Sequence, residues 1–536
     1  MRDTRTKRRI KKENIFQKMK IYTVKKTKKW KCKFLKDACK GNVGMIKYNQ
    51  TENERSILVI INVKKDKKHT ISPYIFMQFA EPLGTSDSSV DAGWDFLHEC
   101  WQPKLVEKVK ELAPTMIRWG GCFASYYHWK EAVGPQNERV PMLNLCWDGT
   151  YSNMVGTHEV IELCKIANSE PLLVVNMESD GRMHWAYPKE GMDRLGKADE
   201  AAEWVDYCNN PNNTLRISHG IKEPYNVKFW QIGNETSYDK RGFDEETTAQ
   251  KTLEFAKAMR KADPSIKLLA WGDSGWAKRI CEVAGDEIDY IAFHYHFYDS
   301  GLDGCPFNDK DYRKDPDNTW KHLMNTYKYL EDYIDNMREQ VKPYGKRLAM
   351  TEGHYVLEGR DRCDILATWG AGVSYARCAN VLERATDILD IATLADFFGN
   401  RWQVNALMLC TPDHWGPAYL QPVGEIMRLF RHHIGVYALD VEKEIDKVDL
   451  TASLSADENT LYVHAVNTDR LTDKELTIRL DGRKVKKIKA FTIAEDSMTE
   501  ITYQNIDVFA PKASEVDGDT FVLPASGVSA LEIELE

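Results

Sequence analysis

The chain of 536 residues has no apolar run of about 18 residues or more, so no stretch reads as a transmembrane helix. Its basic beginning is not followed by the short apolar segment of a secretory signal, which leaves the cytoplasm as the expected compartment. The 12 cysteines include no Cys-x-x-Cys pair and no Cys/His ligand spacing. That excludes a zinc-finger or disulfide framework and points to reduced thiols, several of them, such as Cys164, Cys378 and Cys410, inside apolar runs. No metal or cofactor is expected. Internal repeats are absent, and the only biased tract is the N-terminus. Residues 1–36 carry 16 Lys and Arg against 2 acidic residues, whereas the whole chain has a formal net charge of −8. The remaining body is therefore acidic and is expected to bind neither nucleic acid nor membrane. Residues 1–54 read as a basic extension, either a disordered tail or an over-long start, with Met19 as an internal start and a nucleic-acid arm as the alternative.

From about residue 70, short apolar runs alternate with helical patterns. Eight runs read as strands: 75–82, 116–121, 171–177, 227–235, 267–272, 290–295, 347–352 and 404–411. Between them lie amphipathic stretches at 105–112, 157–168, 200–208, 246–262, 320–341 and 365–385. In 320–341, Leu323, Tyr327, Leu330, Ile334 and Met337 keep one apolar face. Eight strands with intervening helices predict a (β/α)8 TIM barrel over residues 71–434. A doubly wound open sheet is the alternative, but Ala80-Glu81-Pro82-Leu83-Gly84 is not a phosphate-binding glycine loop. Beyond 435 the period changes to alternation at 460–466, 475–480, 485–491 and 521–523. This predicts an appended antiparallel β-sandwich over 435–536, joined by a strand from 55–70.

In a barrel, chemistry sits at the C-terminal strand ends. Polar groups gather there: Glu81 on strand one, Arg118 on two, Asn176 and then Glu178 on three, and Asn234-Glu235 on four. His294-Tyr295-His296 follows on six, Glu352 and His354 on seven, and Asp413-His414-Trp415 on what reads as eight. A carboxylate ending a buried strand is costly without a task or a partner. Two of them, Glu235 and Glu352, suit glycoside hydrolysis, in which one carboxyl protonates the leaving oxygen and the other attacks the anomeric carbon or activates water. Asn234 is placed to hydrogen-bond a sugar hydroxyl, and Arg118 to pair with Glu352.

These blocks resemble known sequences. Gly233-Asn234-Glu235 looks like the acid/base signature of clan A glycoside hydrolases. The run from Met116 to Phe123, continuing through Tyr127-His128-Trp129-Lys130, resembles the strand-two block of glycoside hydrolase family 51, the α-L-arabinofuranosidases. Ile71–Glu81 and Phe521–Ser529 resemble its first and last blocks, so the resemblance covers about residues 55–536. It implies Glu235 as general acid/base, Glu352 as nucleophile, and a glycone held by Glu81, Asn234 and Asn176. Cys122, His294, Tyr295 and Trp415 are expected around the sugar, with Arg118 supporting the nucleophile. It further implies a retaining, metal-independent enzyme that releases terminal α-L-arabinofuranosyl residues from plant-derived oligosaccharides, and assembly into homo-oligomers, commonly hexamers. The chain departs from the family where Gly120 directly follows Trp119, where Gly353-His354 follow Glu352, and in the His294-Tyr295-His296 order. A clan A glycosidase of another specificity, or an inactive sugar-binding homologue, stays open as the alternative.

Overall fold

Each barrel strand forms where apolar residues can be buried on both faces, as a parallel sheet wrapped in helices requires. The computed structural model describes residues 57–177, 194–238, 243–307, 311–357 and 363–536. The basic extension 1–54 and Glu178 lie outside the described residues. Seven strands, Gln78–Ala80, Met116–Trp119, Glu170–Val175, Phe229–Ile232, Lys267–Trp271, Tyr290–Phe297 and Arg347–Tyr355, pair in parallel in chain order.

The eighth position is a correction. The run 404–411 does not close the barrel. Its strand, Asn405–Met408, lies outside, parallel to Asp396–Gly399. Closure is made by Leu389–Ala392, which pairs with strand seven, and by Asp396–Gly399, which pairs with strand one. Met77 N donates to Ala392 O at 2.9 Å across the same seam. The reason is visible in the barrel interior. One buried layer consists of Met77, Met116, Leu172, Phe229, Leu269, Ala292, Ala349 and Ile391, one residue for each of the eight staves. Ile391 supplies the eighth, and nothing from 404–411 enters that layer.

The helices follow their apolar stripes: Pro103–Leu112, Thr157–Ala167, Ala198–Asn209, Glu245–Ala262 and Trp369–Arg384. The long pattern at 320–341 is two helices, Pro316–Leu323 and Tyr327–Val341, broken at Met324–Thr326.

The second layered unit is a β-sandwich. One sheet holds Ile57–Val63, Lys474–Leu480 and Thr520–Leu523. The other is built mainly from Val448–Leu454, Thr460–Asn467, Val528–Leu535 and Val485–Ile493. Pairing is antiparallel except that Ile57–Val63 runs parallel to Lys474–Leu480. In Ile57–Val63 the residues Val59, Ile61 and Val63 point inward, and they meet Leu476, Ile478, Val463 and Leu531 in a separate apolar core. A buried polar seam joins sandwich to barrel. Asp449 accepts from Arg377 Nε at 3.2 Å, Asn380 Nδ2 at 2.8 Å and Arg384 Nη1 at 2.9 Å.

Candidate active site

Strand alternation decides which side chains reach the barrel mouth. Met77, Met116, Phe229 and Ala292 point inward, so Glu81, Arg118, Gln231, His294 and His296, at even spacings from them, do so too. The seventh strand would break this rule, because Ala349 is inward and Glu352 is three residues on. A register shift between Phe293 and His294 solves it: Phe293 faces Met350, but His294 faces Glu352. The extra residue is a β-bulge that re-aims Glu352 into the barrel. On strand four the chain leaves the sheet at Gly233 (φ 72°), and Glu235 itself adopts φ 53°. That left-handed backbone is strained for a non-glycine residue and turns the carboxylate inward.

The two glutamates meet across a buried network. One carboxylate oxygen of each, together with a ring nitrogen of His294 and of His296, lies within 4.8 Å of the others. Arg118 is fully buried, and each of its three side-chain nitrogens donates. Nη1 donates to Glu352 Oε1 at 2.8 Å, Nη2 to Asn234 Oδ1 at 2.7 Å and Nε to Gln231 Oε1 at 3.0 Å. His294 Nδ1 is 3.1 Å from Glu235 Oε1 and 3.5 Å from Glu352 Oε2, and its Nε2 is 3.1 Å from Thr351 Oγ1. Burial pushes the His294 pKa down to about 3, so this contact is a hydrogen bond from a neutral ring rather than an ion pair. Burial also lowers His354 to about 4 and drives His296 well below its ordinary value.

These carboxylates face a pocket of about 250 Å3 lined by Glu81, Cys122, Cys146, Trp147, His354, Asp396 and Trp402 among others. Glu81 Oε1 accepts from Trp147 Nε1 at 2.8 Å. Burial, and then the charge of Glu352, raise the Glu81 carboxyl well above the usual range. Asp396 is likewise raised, chiefly by burial. Both shifts favour the protonated carboxyl, the form that can donate as well as accept toward hydroxyl groups. Gly121 is required beside Glu81. Its φ is +137°, and a Cβ there would lie 2.1 Å from Glu81 Oε2. Cys122 Sγ is 3.4 Å from Glu235 Oε2, and its thiol is pushed up by the neighbouring Cys146 and by burial, which argues against a thiolate nucleophile. Glu235, His294, His296 and Glu352 are the group among the described residues whose donor atoms converge closely enough for a metal ion. The Arg118 guanidinium against Glu352 already supplies the positive charge there and opposes a second cation.

The structure thus brings Glu235, Glu352, Arg118, Asn234, His294, Glu81 and Cys122 together. Three expected ligands fall elsewhere. Trp415 is 74% exposed on a 3-10 turn, Asp413–Trp415, that follows the outer strand rather than the eighth stave. Tyr295 points out of the barrel by alternation and packs on Phe297 and Tyr333, lining a neighbouring cleft. Asn176 uses its Nδ2 on the carbonyls of Tyr127 and Arg194, outside the pocket lining. Sequence reasoning missed Trp147, which arrives on a long excursion after strand two, and Asp396. The acid inside Leu394-Ala395-Asp396-Phe397-Phe398 was the available signal for the latter.

Residues 108–317 match the family model described as Alpha-L-arabinofuranosidase 1 domain. The chain is 35% identical over 226 residues to Alpha-L-arabinofuranosidase C of Emericella nidulans, covering 40% of this chain and 42% of that protein. It is 30% identical over 298 residues to the Intracellular exo-alpha-(1->5)-L-arabinofuranosidase of Acetivibrio thermocellus, covering 51% and 54%. The alignments thus span about half the length of these curated relatives. In three dimensions the chain is similar to the alpha-L-arabinofuranosidase from Thermotoga maritima, solved as an arabinose complex. The TM-score is 0.73 at 25% identity, over 88% of this chain and 99% of that one.

Proposed function

We propose that this chain, α-L-arabinofuranosidase-like in sequence and fold, is a retaining glycoside hydrolase. It would release terminal α-L-arabinofuranosyl residues from plant-derived arabino-oligosaccharides. The observation that carries the reading is the approach of the Glu235 and Glu352 carboxylate oxygens to within 4.8 Å. A short separation of about 5–5.5 Å leaves no room for a water between acid and nucleophile and favours double displacement; inversion needs about 6.5–9.5 Å.

In the first step a Glu352 oxygen bonds to the anomeric carbon while the bond to the leaving oxygen breaks and Glu235 transfers its proton to that oxygen. The product is a glycosyl ester on Glu352 and an ionised Glu235. Glu235 then takes a proton from water as its oxygen attacks the anomeric carbon. The ester bond breaks, restoring the Glu352 carboxylate and the protonated acid. Arg118 and neutral His294 hold the two carboxyls without adding a competing base. Asn234 Nδ2 has no hydrogen-bond partner among the described residues and suits a sugar hydroxyl. Glu81 and Asp396, both in the lining of the carboxylate pocket, suit further hydroxyls on the glycone.

Proton NMR of the first-formed sugar tests the mechanism: the α-anomer should appear before mutarotation, and an initial β-anomer would overturn it. Glu352→Gly should abolish turnover of nitrophenyl α-L-arabinofuranoside, and azide should restore it with formation of a glycosyl azide. The ten described cysteines are all free thiols, and one relative carries the word intracellular in its name; both support a cytoplasmic location. No helix among the described residues is long and apolar enough to cross a membrane. We further propose a homo-oligomer, with the hexamer as the form to test by light scattering.

A further inference from the structure

Just beyond strand five, Lys267–Trp271, sits Asp273, a carboxylate that is 1% exposed and lies outside the lining of the carboxylate pocket. Burying a carboxylate is costly unless donors meet its oxygens, and here four converge. Oδ2 accepts from Tyr238 Oη at 2.9 Å and from the backbone N of His294 at 3.2 Å. Oδ1 accepts from Tyr333 Oη and from the backbone N of Ser274. The two donors on Oδ2 both lead to Glu235. Tyr238 closes the turn that carries Glu235, its backbone N donating to Glu235 O at 3.0 Å. Strand five grips the same turn at Ser237, whose Oγ accepts from Trp271 Nε1 at 2.9 Å. The second route runs through His294. The ladder from strand five to strand six ends where Gly272 N donates to Ala292 O at 3.0 Å. The next N–H of strand six on that side belongs to His294, and the Asp273 carboxylate takes it where a ladder carbonyl would otherwise accept. His294 is also where the register with strand seven shifts, and its Nδ1 is 3.1 Å from Glu235 Oε1. Glu235 stands at φ 53°, a strained backbone that persists only where its surroundings hold it.

We infer that Asp273 is a positioning residue for the proposed acid/base Glu235, fixing the 235–238 turn through Tyr238 and the imidazole beside Glu235 through the His294 backbone. The inference rests on the glycosidase reading above and deepens it. Asp273 acts through these two residues, so its loss shows in proton delivery to the leaving oxygen. A carboxylate is required there because each oxygen faces one backbone N–H that cannot turn away, His294 N on Oδ2 and Ser274 N on Oδ1. An amide in either orientation sets its NH2 group against one of them. Asp273→Asn therefore loosens the support of Glu235 while nearly keeping the side-chain volume.

A misplaced acid is read from the leaving group. α-1,5-linked arabinobiose leaves as a weakly acidic alcohol that needs the proton, whereas nitrophenolate leaves almost unaided. Asp273→Asn should lower kcat/KM for arabinobiose on the order of 100-fold, the effect of a displacement of about 1 Å, and for nitrophenyl α-L-arabinofuranoside no more than about fivefold. Tyr238→Phe, which cuts one of the two routes, should show the same split at about tenfold, the worth of one hydrogen bond to a charged group. Tyr333→Phe removes a donor that leads to neither route and should stay within about twofold of wild type on both substrates. Equal losses on the two substrates in Asp273→Asn, as a merely structural acid would give, overturn the inference, and no loss on either does the same. If Asp273→Asn fails to fold by far-UV spectrum and thermal melt, Tyr238→Phe decides by the same criterion. A wild type that hydrolyses neither arabinoside overturns the glycosidase reading and this inference together. A wild type that hydrolyses both, with no split in the variants, overturns the role of Asp273 alone.

Discussion

Replacing Arg118 with methionine removes the guanidinium that pairs with Glu352 while keeping most of the side-chain volume. In the folded protein Arg118 is fully buried and serves three acceptors, the Glu352 carboxylate, the Asn234 amide oxygen and the Gln231 amide oxygen, at 2.7–3.0 Å. Removing one partner of a buried ion pair costs about 3–5 kcal/mol, because the remaining charge sits unpaired in a poorly polarisable interior. The two orphaned amide oxygens add about 1 kcal/mol each where water cannot reach them. With an unfolding entropy of about 2.1 cal/mol/K per residue, a folded unit of this size loses roughly 1 °C of thermal midpoint per kcal/mol. The midpoint should therefore fall by about 3–7 °C. Scanning calorimetry and kcat/KM are the assays. Turnover should fall with the stability, since no cation then holds the carboxylate proposed to attack. Arg118→Lys should recover part of the stability but little of the rate, because one ammonium cannot serve three acceptors in a fixed fork. A methionine variant that melts within about 1 °C of wild type with unchanged kcat/KM would refute the reasoning (the smallest expected shift is about 3 °C).

Two further outcomes follow from other positions. Gly121→Ala should push Glu81 out of place, since its Cβ would overlap Glu81 Oε2 at 2.1 Å; a displacement of about 1 Å at the sugar should cost on the order of 100-fold in kcat/KM with the far-UV spectrum unchanged. Asp91, outside the lining of the carboxylate pocket, is raised from 3.8 to about 6 by burial. The folded state thus holds an extra proton between those values, and its stabilising contribution, full below about pH 4, is lost as pH rises through 6. Asp91→Asn stays neutral, so its unfolding free energy from urea titration should improve relative to wild type between about pH 4 and pH 8, by up to about 3 kcal/mol less a discount for partial exposure. A gap that does not change with pH would remove burial as the cause.

The sequence by itself determined the candidate catalytic pair. Glu235 and Glu352 each end a short apolar run, where a carboxylate is costly to bury without a task, and barrel logic needs only strand order to put both at one mouth. It also determined the fold class, because a change from helical to alternating periodicity near 435 is a local property of the chain. The eighth stave was not legible. Its two halves, Leu389–Ala392 and Asp396–Gly399, pair with different neighbours, and each is no more strand-like in sequence than Asn405–Met408, which lies outside. Only closure against Met77 and Phe79 distinguishes them. That miscount carried Trp415 toward the site and hid Asp396. Tertiary structure alone decided the bulge that turns Glu352 inward and the delivery of Trp147 to Glu81. It also decided the upward pKa shifts of Glu81 and Asp396, since a carboxyl's affinity for its proton depends on the water and charges that packing leaves around it, not on its neighbours in the chain.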